Sequence, residues 1–137
     1  MTPDWAADYV GLPFRAHGRD RAGVDCWGLV RLVLAERFAV RLPSFAADYA
    51  TVEDAEDIGR LIRGEMGPWR EVPHGAERAG DVALLRLMNH PMHVGLVTAP
   101  GWMLHVEEGI DSCLDRYRSP KWHRRLMGLY RHESLMP

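Results

Sequence analysis

Apolar positions follow a helical period in one segment of the chain and form short strand-like runs further on. From residue 26 to residue 38 they recur every three or four positions, which predicts an amphipathic α-helix. Asp25 precedes this segment and suits the N-cap, because its carboxylate can accept hydrogen bonds from the first free amides. The apolar positions of this helix are Leu29, Val30, Val33, Leu34 and Phe38.

Two further helices are predicted on either side of it. Residues 2–10 open with Thr2-Pro3-Asp4, which combines a hydroxyl for the N-cap, a proline for the first turn and an acid beside the helix dipole. Residues 51–66 begin with Thr51-Val52-Glu53-Asp54 and place apolar side chains on one side. The glycine-bearing, charged stretch 14–24 is predicted to be a loop.

Short apolar runs separated by turn residues predict strands elsewhere. The predicted strands are residues 69–72, 82–87, 93–98, 102–107 and 126–131. Because helices come first and adjacent strands follow, the pattern indicates an α+β fold with N-terminal helices packed on an antiparallel β-sheet. A length of 137 residues suits a single domain over residues 1–137.

Composition narrows the possible functions. A formal net charge of −2 offers no overall attraction to nucleic acid, and no apolar stretch approaches the ~20 residues of a membrane span. The first residues lack the features of a secretory signal, so we expect a chain made in the cytoplasm without an export signal of its own. Cys26 and Cys113 are too few for a disulfide scaffold; we interpret both as thiols, with one bridge left as an alternative.

Cys26, His93 and His105 are the candidate catalytic residues. Cys26 begins the predicted central helix, where the positive end of the helix dipole favours the thiolate. A helix-start cysteine with histidines on strands is typical of a papain-like thiol hydrolase. One imidazole exchanges a proton with the sulfur, and a third polar group orients that ring, a role that His105 can fill for His93. The backbone N–H of Cys26 is a candidate oxyanion donor.

The two histidines must share one face of the sheet for this site to form. Strand alternation around an odd-length loop at residues 99–101 predicts that Thr98 lies opposite Trp102 and Gly95 opposite His105. Glycine at that position would leave room for the His105 ring to lean towards His93. A two-residue loop would send the imidazoles to opposite faces.

Four segments resemble, in order and spacing, the NlpC-type peptidoglycan peptidases. They are Asp25-Cys26-Trp27-Gly28-Leu29, Gly80-Asp81-Val82-Ala83-Leu84, His93-Val94-Gly95-Leu96-Val97 and Met103-Leu104-His105-Val106. The resemblance implies a papain-like NlpC fold, with Cys26 as nucleophile, His93 as base and His105 as the orienting residue, and neither cofactor nor metal. It also implies cleavage of stem peptides of the bacterial cell wall, typically between D-glutamate and a diamino acid.

The segment from residue 11 to residue 31 resembles more narrowly the branch found in phage tails and gene transfer particles. This branch implies tail hub or tail-tip proteins as partners and a location in a phage-like tail, which would bring an enzyme without an export signal to the wall. Trp27 and Phe14 replace a serine and a tyrosine of many cellular members. The resemblance therefore implies a different substrate subsite beside the nucleophile.

Other interpretations remain open. A structural tail-tip or assembly component could keep the peptidase fold with little or no hydrolysis. His90, together with His93, His105 and Cys26, offers possible zinc ligands, although no tight pair such as Cys-x-x-Cys is present. Buried cysteines and histidines are also ordinary core residues.

Overall fold

The computed structural model describes residues 2–44, 67–87 and 90–136. The predicted helix at residues 51–66 lies outside these ranges. Within them, helix α1 is Cys26–Phe38, and β1 (Arg19–Asp20) and β2 (Gly23–Val24) form a small antiparallel pair. The remaining strands are β3 (Trp69–Val72), β4 (Val82–Leu87), β5 (His90–Ala99), β6 (Trp102–Glu107), β7 (Ile110–Arg116) and β8 (Leu126–His132).

Strands β3 to β8 form one antiparallel sheet in the order β3-β8-β4-β5-β6-β7. Helix α1 packs against β5 and β6 near the middle of this sheet. This arrangement confirms the predicted α+β class, with the helix that carries Cys26 lying on an antiparallel sheet. In the described part of the chain, no helix has the length and hydropathy needed to cross a lipid bilayer.

Each face of the sheet buries its own apolar cluster, because successive strand residues point to opposite sides. Val94, Leu96, Leu104 and Val106 belong to the cluster that includes the buried side of α1. The opposite cluster contains Ala83, Leu85, Val97, Met103, Tyr117, Trp122 and Leu129. Burial of both faces explains why strands near the centre of the sheet, such as β4, read as continuous apolar runs rather than clean alternations.

The start of α1 is held by Asp25, as the sequence predicts. Its carboxylate accepts hydrogen bonds from the Gly28 amide at 2.8 Å, from Arg19 Nη1 at 2.7 Å and from the His17 amide at 3.2 Å. Gly28 allows the helix to approach the preceding loop closely, since a Cβ there would lie 2.0 Å from the Gly18 carbonyl oxygen. The cap and this close contact fix where the first helical turn meets the sheet.

The turn between β5 and β6 differs from the prediction. Ala99, not Thr98, pairs with Trp102, so the loop contains two residues, and Gly101 takes a φ of 89° that favours glycine. A β-bulge between Val97 and Ala99 inserts Thr98 as one extra residue. The bulge offsets the shorter loop, because it restores the expected pairing of Val97 with Met103.

Three other elements differ from the sequence prediction. The N-terminal helix is a 3₁₀ helix at Asp4–Tyr9, with Pro3 at its N-cap and no side-chain cap, because Thr2 lies further out and its hydroxyl is 3.5 Å from that of Thr98. The stretch interpreted as a loop contains β1 and β2. Strand β7 was not predicted, because polar and charged side chains occupy much of it.

We expect Asp25→Ala to lower the free energy of unfolding by ~2–4 kcal/mol, because the change removes the helix cap and leaves the largely buried Arg19 guanidinium without its carboxylate. Urea denaturation followed by circular dichroism measures this difference. Asp111→Ala on β7 is the matched control, since Asp111 is exposed. Equal unfolding midpoints for the two variants would contradict the structural role of Asp25.

Candidate active site

Cys26 is the first residue of α1, and only 7% of its surface is exposed. The backbone amides of Val94 and Trp27 hydrogen-bond to its sulfur. Val94 follows His93 directly on β5, so the sulfur lies at the level of His93 along that strand. The fold thus brings the sulfur of the predicted nucleophile, on α1, against the residue that follows the predicted base on β5.

The Val94 amide points towards β6 rather than β4. The Val97 amide donates to the Asp81 carbonyl oxygen at 2.8 Å, on the β4 side, and amide directions alternate along a strand. The hydrogen-bonded pairing of β5 with β6 extends from Ala99 as far as Leu96. Two residues before Leu96 on β5, the Val94 amide donates its hydrogen bond to the Cys26 sulfur and not to β6. The start of α1 therefore provides the acceptor that β6 would provide if the pairing continued.

His93 and His105 share one face of the sheet, as predicted, and meet directly. Nε2 of His93 lies 2.8 Å from Nδ1 of His105, and both residues are at least 97% buried. The indole of Trp122 stacks on the His93 ring with centroids 5.4 Å apart and planes inclined by 15°, and it meets the His105 ring edge-on. Both imidazoles are therefore fixed by contacts on more than one side.

The space beside Gly95, expected to accommodate the His105 ring, is occupied by another side chain. A Cβ at Gly95 would lie 2.6 Å from the Met103 sulfur, so Met103, rather than the His105 ring, fills the space beside this glycine. The direct hydrogen bond between the imidazoles shows that His105 reaches His93 without that space.

Asp115 and Trp122 belong to the same hydrogen-bonded group, although the sequence analysis did not single them out for the site. Oδ2 of Asp115 lies 3.3 Å from Nε2 of His105 and accepts a hydrogen bond from Nε1 of Trp122 at 2.9 Å. Asp115 lies on the unpredicted strand β7, where His105 pairs with Cys113. A strand predicted over residues 110–116 and paired with β6 would have placed Asp115 near His105.

Burial makes the candidate nucleophile and base neutral in this structure. Desolvation, assisted by the nearby Asp25 charge, raises the pKa of the Cys26 thiol to about 12. Desolvation, followed by the neighbouring His105, lowers the pKa of His93 to about 3. The expectation that the helix start favours the Cys26 thiolate is therefore wrong for the ligand-free protein, because desolvation outweighs the helix dipole.

Neither Cys26 nor Cys113 forms a disulfide, so the alternative of a bridge between them is wrong. Cys113 is partly exposed, and its sulfur lies 3.8 Å from Nε2 of His105. Burial raises the pKa of the Cys113 thiol. Cys113 thus adjoins the side of His105 that faces away from His93.

One group of potential metal ligands is found in the described ranges, formed by His93, His105 and Glu107. Their ligand atoms all lie within 4.8 Å of one another. This set differs from the zinc interpretation of the sequence, which combined the histidines with Cys26 and His90; the side chain of His90 falls outside the description. The two imidazole nitrogens already hydrogen-bond to each other, and a metal would have to replace that bond.

Comparisons with known proteins identify relatives of this chain. The NlpC/P60 family matches residues 11–131. A curated relative named murein DD-endopeptidase MepS/murein LD-carboxypeptidase, from Escherichia coli, is 27% identical over 122 residues, covering 89% of this chain and 56% of its own length. A probable endopeptidase of Haemophilus influenzae is 26% identical over 126 residues, covering 90% of this chain and 68% of its own.

A solved structure shares the fold. The crystal structure of an NlpC/P60 family protein from Bacillus cereus superposes with a TM-score of 0.70 at 18% identity, covering 96% of this chain and 41% of that one. The chain thus spans a little over half the length of the Escherichia coli relative and less than half of this structure. Since the family match extends over most of the 137 residues and includes the Cys26, His93 and His105 positions, this chain belongs to the NlpC/P60 family.

Proposed function

We propose that this chain is a cysteine peptidase that hydrolyses stem peptides of bacterial peptidoglycan. Cys26 is the nucleophile, His93 the base and His105 the residue that orients the His93 ring. The observation that carries the proposal is the 2.8 Å hydrogen bond between the buried imidazoles of His93 and His105. The amide of Val94, the residue after His93, hydrogen-bonds to the Cys26 sulfur. The murein endopeptidase among the relatives supports this substrate class.

The neutral state of both groups decides how the reaction begins. The Cys26 sulfur attacks the peptide carbonyl carbon while its proton passes to the free ring nitrogen of His93, Nδ1, because Nε2 faces His105. The resulting oxyanion is stabilised by backbone amides at the start of α1, with that of Cys26 as the proposed donor. His93 then protonates the leaving amine, and water hydrolyses the thioester to regenerate the thiol.

The bond and the place of action follow from the motif resemblance. The proposed bond is that between D-glutamate and a diamino acid, and mass spectrometry of the two product peptides identifies it.

The resemblance of residues 11–31 to the branch in phage tails and gene transfer particles supports tail hub or tail-tip proteins as partners. Particles purified from a producing strain should then contain this chain, and its absence from them would refute the tail assignment.

The second candidate function is a structural tail component that keeps the fold with little hydrolysis. The burial of Cys26 favours it, because a thiol that is 7% exposed offers little surface to a peptide. This alternative predicts that the chain co-purifies with tail hub proteins while muropeptides remain intact.

The zinc alternative predicts stoichiometric metal in the purified protein. Elemental analysis distinguishes it from the peptidase and from the structural tail component.

Replacing the proposed nucleophile should abolish hydrolysis. In Cys26→Ala the release of peptides from purified muropeptides is expected to fall by at least ~10³-fold, because no covalent intermediate can form. Chromatography of the digest measures the rate. Cys113→Ala removes the other cysteine and is the matched control, expected to remain within a few-fold of the natural chain. Equal rates for Cys26→Ala and the natural chain would refute the proposed role of Cys26.

The pH profile should reflect two buried neutral groups. Since the pKa of His93 is lowered to about 3, the base stays unprotonated well below the usual pH range of histidine. Since the pKa of Cys26 is raised to about 12, thiol ionisation contributes no limb near neutrality. We therefore expect kcat/KM to be nearly constant from about pH 5 to about pH 9, with its acid limb closer to pH 3.

Stopped assays over this range, with folding checked by circular dichroism at each pH, provide the measurement. An acid limb near pH 6.5 would contradict the burial of His93. A steady tenfold rise per pH unit would show that the free thiolate, rather than the neutral pair, is the reacting form.

A further inference from the structure

Asp115 is a partly exposed carboxylate next to the site, and the proposed mechanism gives it no role. It lies beyond His105 as seen from His93, so the three side chains form a chain of hydrogen bonds with lengths of 2.8 Å and 3.3 Å. We propose that Asp115 is a positioning residue that selects the protonated nitrogen in both imidazoles and so leaves Nδ1 of His93 as the basic atom. The inference rests on the proposed function for its effect on rate, but not for the protonation pattern itself.

The hydrogen bonds around Asp115 keep its carboxylate ionised. Burial alone would raise the pKa of Asp115, but hydrogen bonds from the Trp122 indole and the Arg116 amide, together with the His105 interaction, hold it below its usual range. Asp115 is therefore ionised at neutral pH. An ionised carboxylate can only accept hydrogen bonds, so Nε2 of His105 carries the proton that points to it.

Both imidazole rings are neutral, which determines where their protons lie. Burial lowers the pKa of His105, so its imidazole carries one proton, and this proton is on Nε2. Nδ1 of His105 is then an acceptor and takes its hydrogen bond from Nε2–H of His93. The neutral His93 ring has no second proton, which leaves Nδ1 unprotonated and able to accept the thiol proton.

Glu107 and Cys113 would favour a proton on Nδ1 of His105, but both lie too far from the ring for a strong hydrogen bond. Glu107 Oε1 lies 3.9 Å from Nδ1 of His105, too far for a hydrogen bond, and Lys121 lies 3.4 Å from the same oxygen. Cys113 Sγ lies 3.8 Å from Nε2, and an S–H donor forms weak hydrogen bonds. The contact of the ring with the Asp115 carboxylate is shorter than either.

Trp122 connects the carboxylate to both rings. Its indole N–H donates to the same Oδ2 atom that faces His105, while its ring stacks on His93. Trp122 is fully buried. The tryptophan therefore limits the movement of Asp115 and of the His93 ring at once, which keeps the hydrogen-bond chain in one geometry.

Asp115→Leu tests the proposal with a side chain of similar size that accepts no hydrogen bond. Nε2–H of His105 and the Trp122 N–H would then both lose the carboxylate that they face, so the proton should move to Nδ1 and the pattern in both rings should reverse. Asp115→Asn keeps an oxygen that can take the place of Oδ2 and should preserve the pattern. Asp111→Leu, an exposed aspartate on the same strand, is the matched control.

Nitrogen-15 NMR of the histidine-labelled natural chain and variants at neutral pH reads the protonated nitrogen directly. We expect Nε2–H in both rings of the natural chain, of Asp115→Asn and of Asp111→Leu, and Nδ1–H in Asp115→Leu. Protonation of Nδ1 of His105 in the natural chain would overturn the proposal. So would an unchanged pattern in folded Asp115→Leu, judged by its amide spectrum.

Muropeptide kinetics supply the second readout. For Asp115→Leu we expect kcat to fall by about 10²- to 10⁴-fold with little change in KM, as when a catalytic imidazole holds the wrong tautomer. Asp115→Asn should recover most of this loss. Equal losses of kcat in the two variants would overturn the proposal. An inactive natural chain with the expected nitrogen pattern would instead refute the proposed function and leave the protonation pattern intact.

Discussion

The hydrogen bond between His93 and His105 depends on one extra residue in strand β5. A two-residue turn alone would place the two imidazoles on opposite faces of the sheet, because side chains alternate along each strand. The β-bulge at Thr98 restores the register, so that Val97 pairs with Met103 and both rings point to the Trp122 side. Every other contact of the rings, including that with Asp115, presupposes this register.

Helix α1 meets the sheet from its other face. The cap provided by Asp25 and the close approach at Gly28 set the position of the first turn, which brings the Cys26 sulfur to the Val94 amide. The sulfur lies where the hydrogen-bonded pairing of β5 and β6 has ended. The nucleophile and the imidazoles therefore approach one another from the two sides of the sheet, at a place where its strands no longer pair.

Desolvation, more than the helix dipole, sets the charge state of this site. It holds the Cys26 thiol and the His93 imidazole neutral, and hydrogen bonds rather than ion pairs orient the rings. Asp115 is the nearest ionised group to His105, and the His105 ring lies between its carboxylate and His93. Proton transfer in the proposed reaction is then governed by which ring nitrogen carries hydrogen, a property that a carboxylate can control through an intervening imidazole.

The sequence by itself determined the local elements and the candidate residues. The capped helix at residues 26–38 and the main strand runs follow from short-range periodicity and capping, which depend on neighbouring residues alone. The shared face of His93 and His105 was predicted with a three-residue loop, whereas the structure reaches it through a two-residue turn and a bulge. The tertiary structure decided the bulge at Thr98, strand β7, the role of Met103 beside Gly95 and the contact of Asp115 with His105. It also decided the neutral state of Cys26, because desolvation depends on atoms far apart in the chain, which no local pattern records.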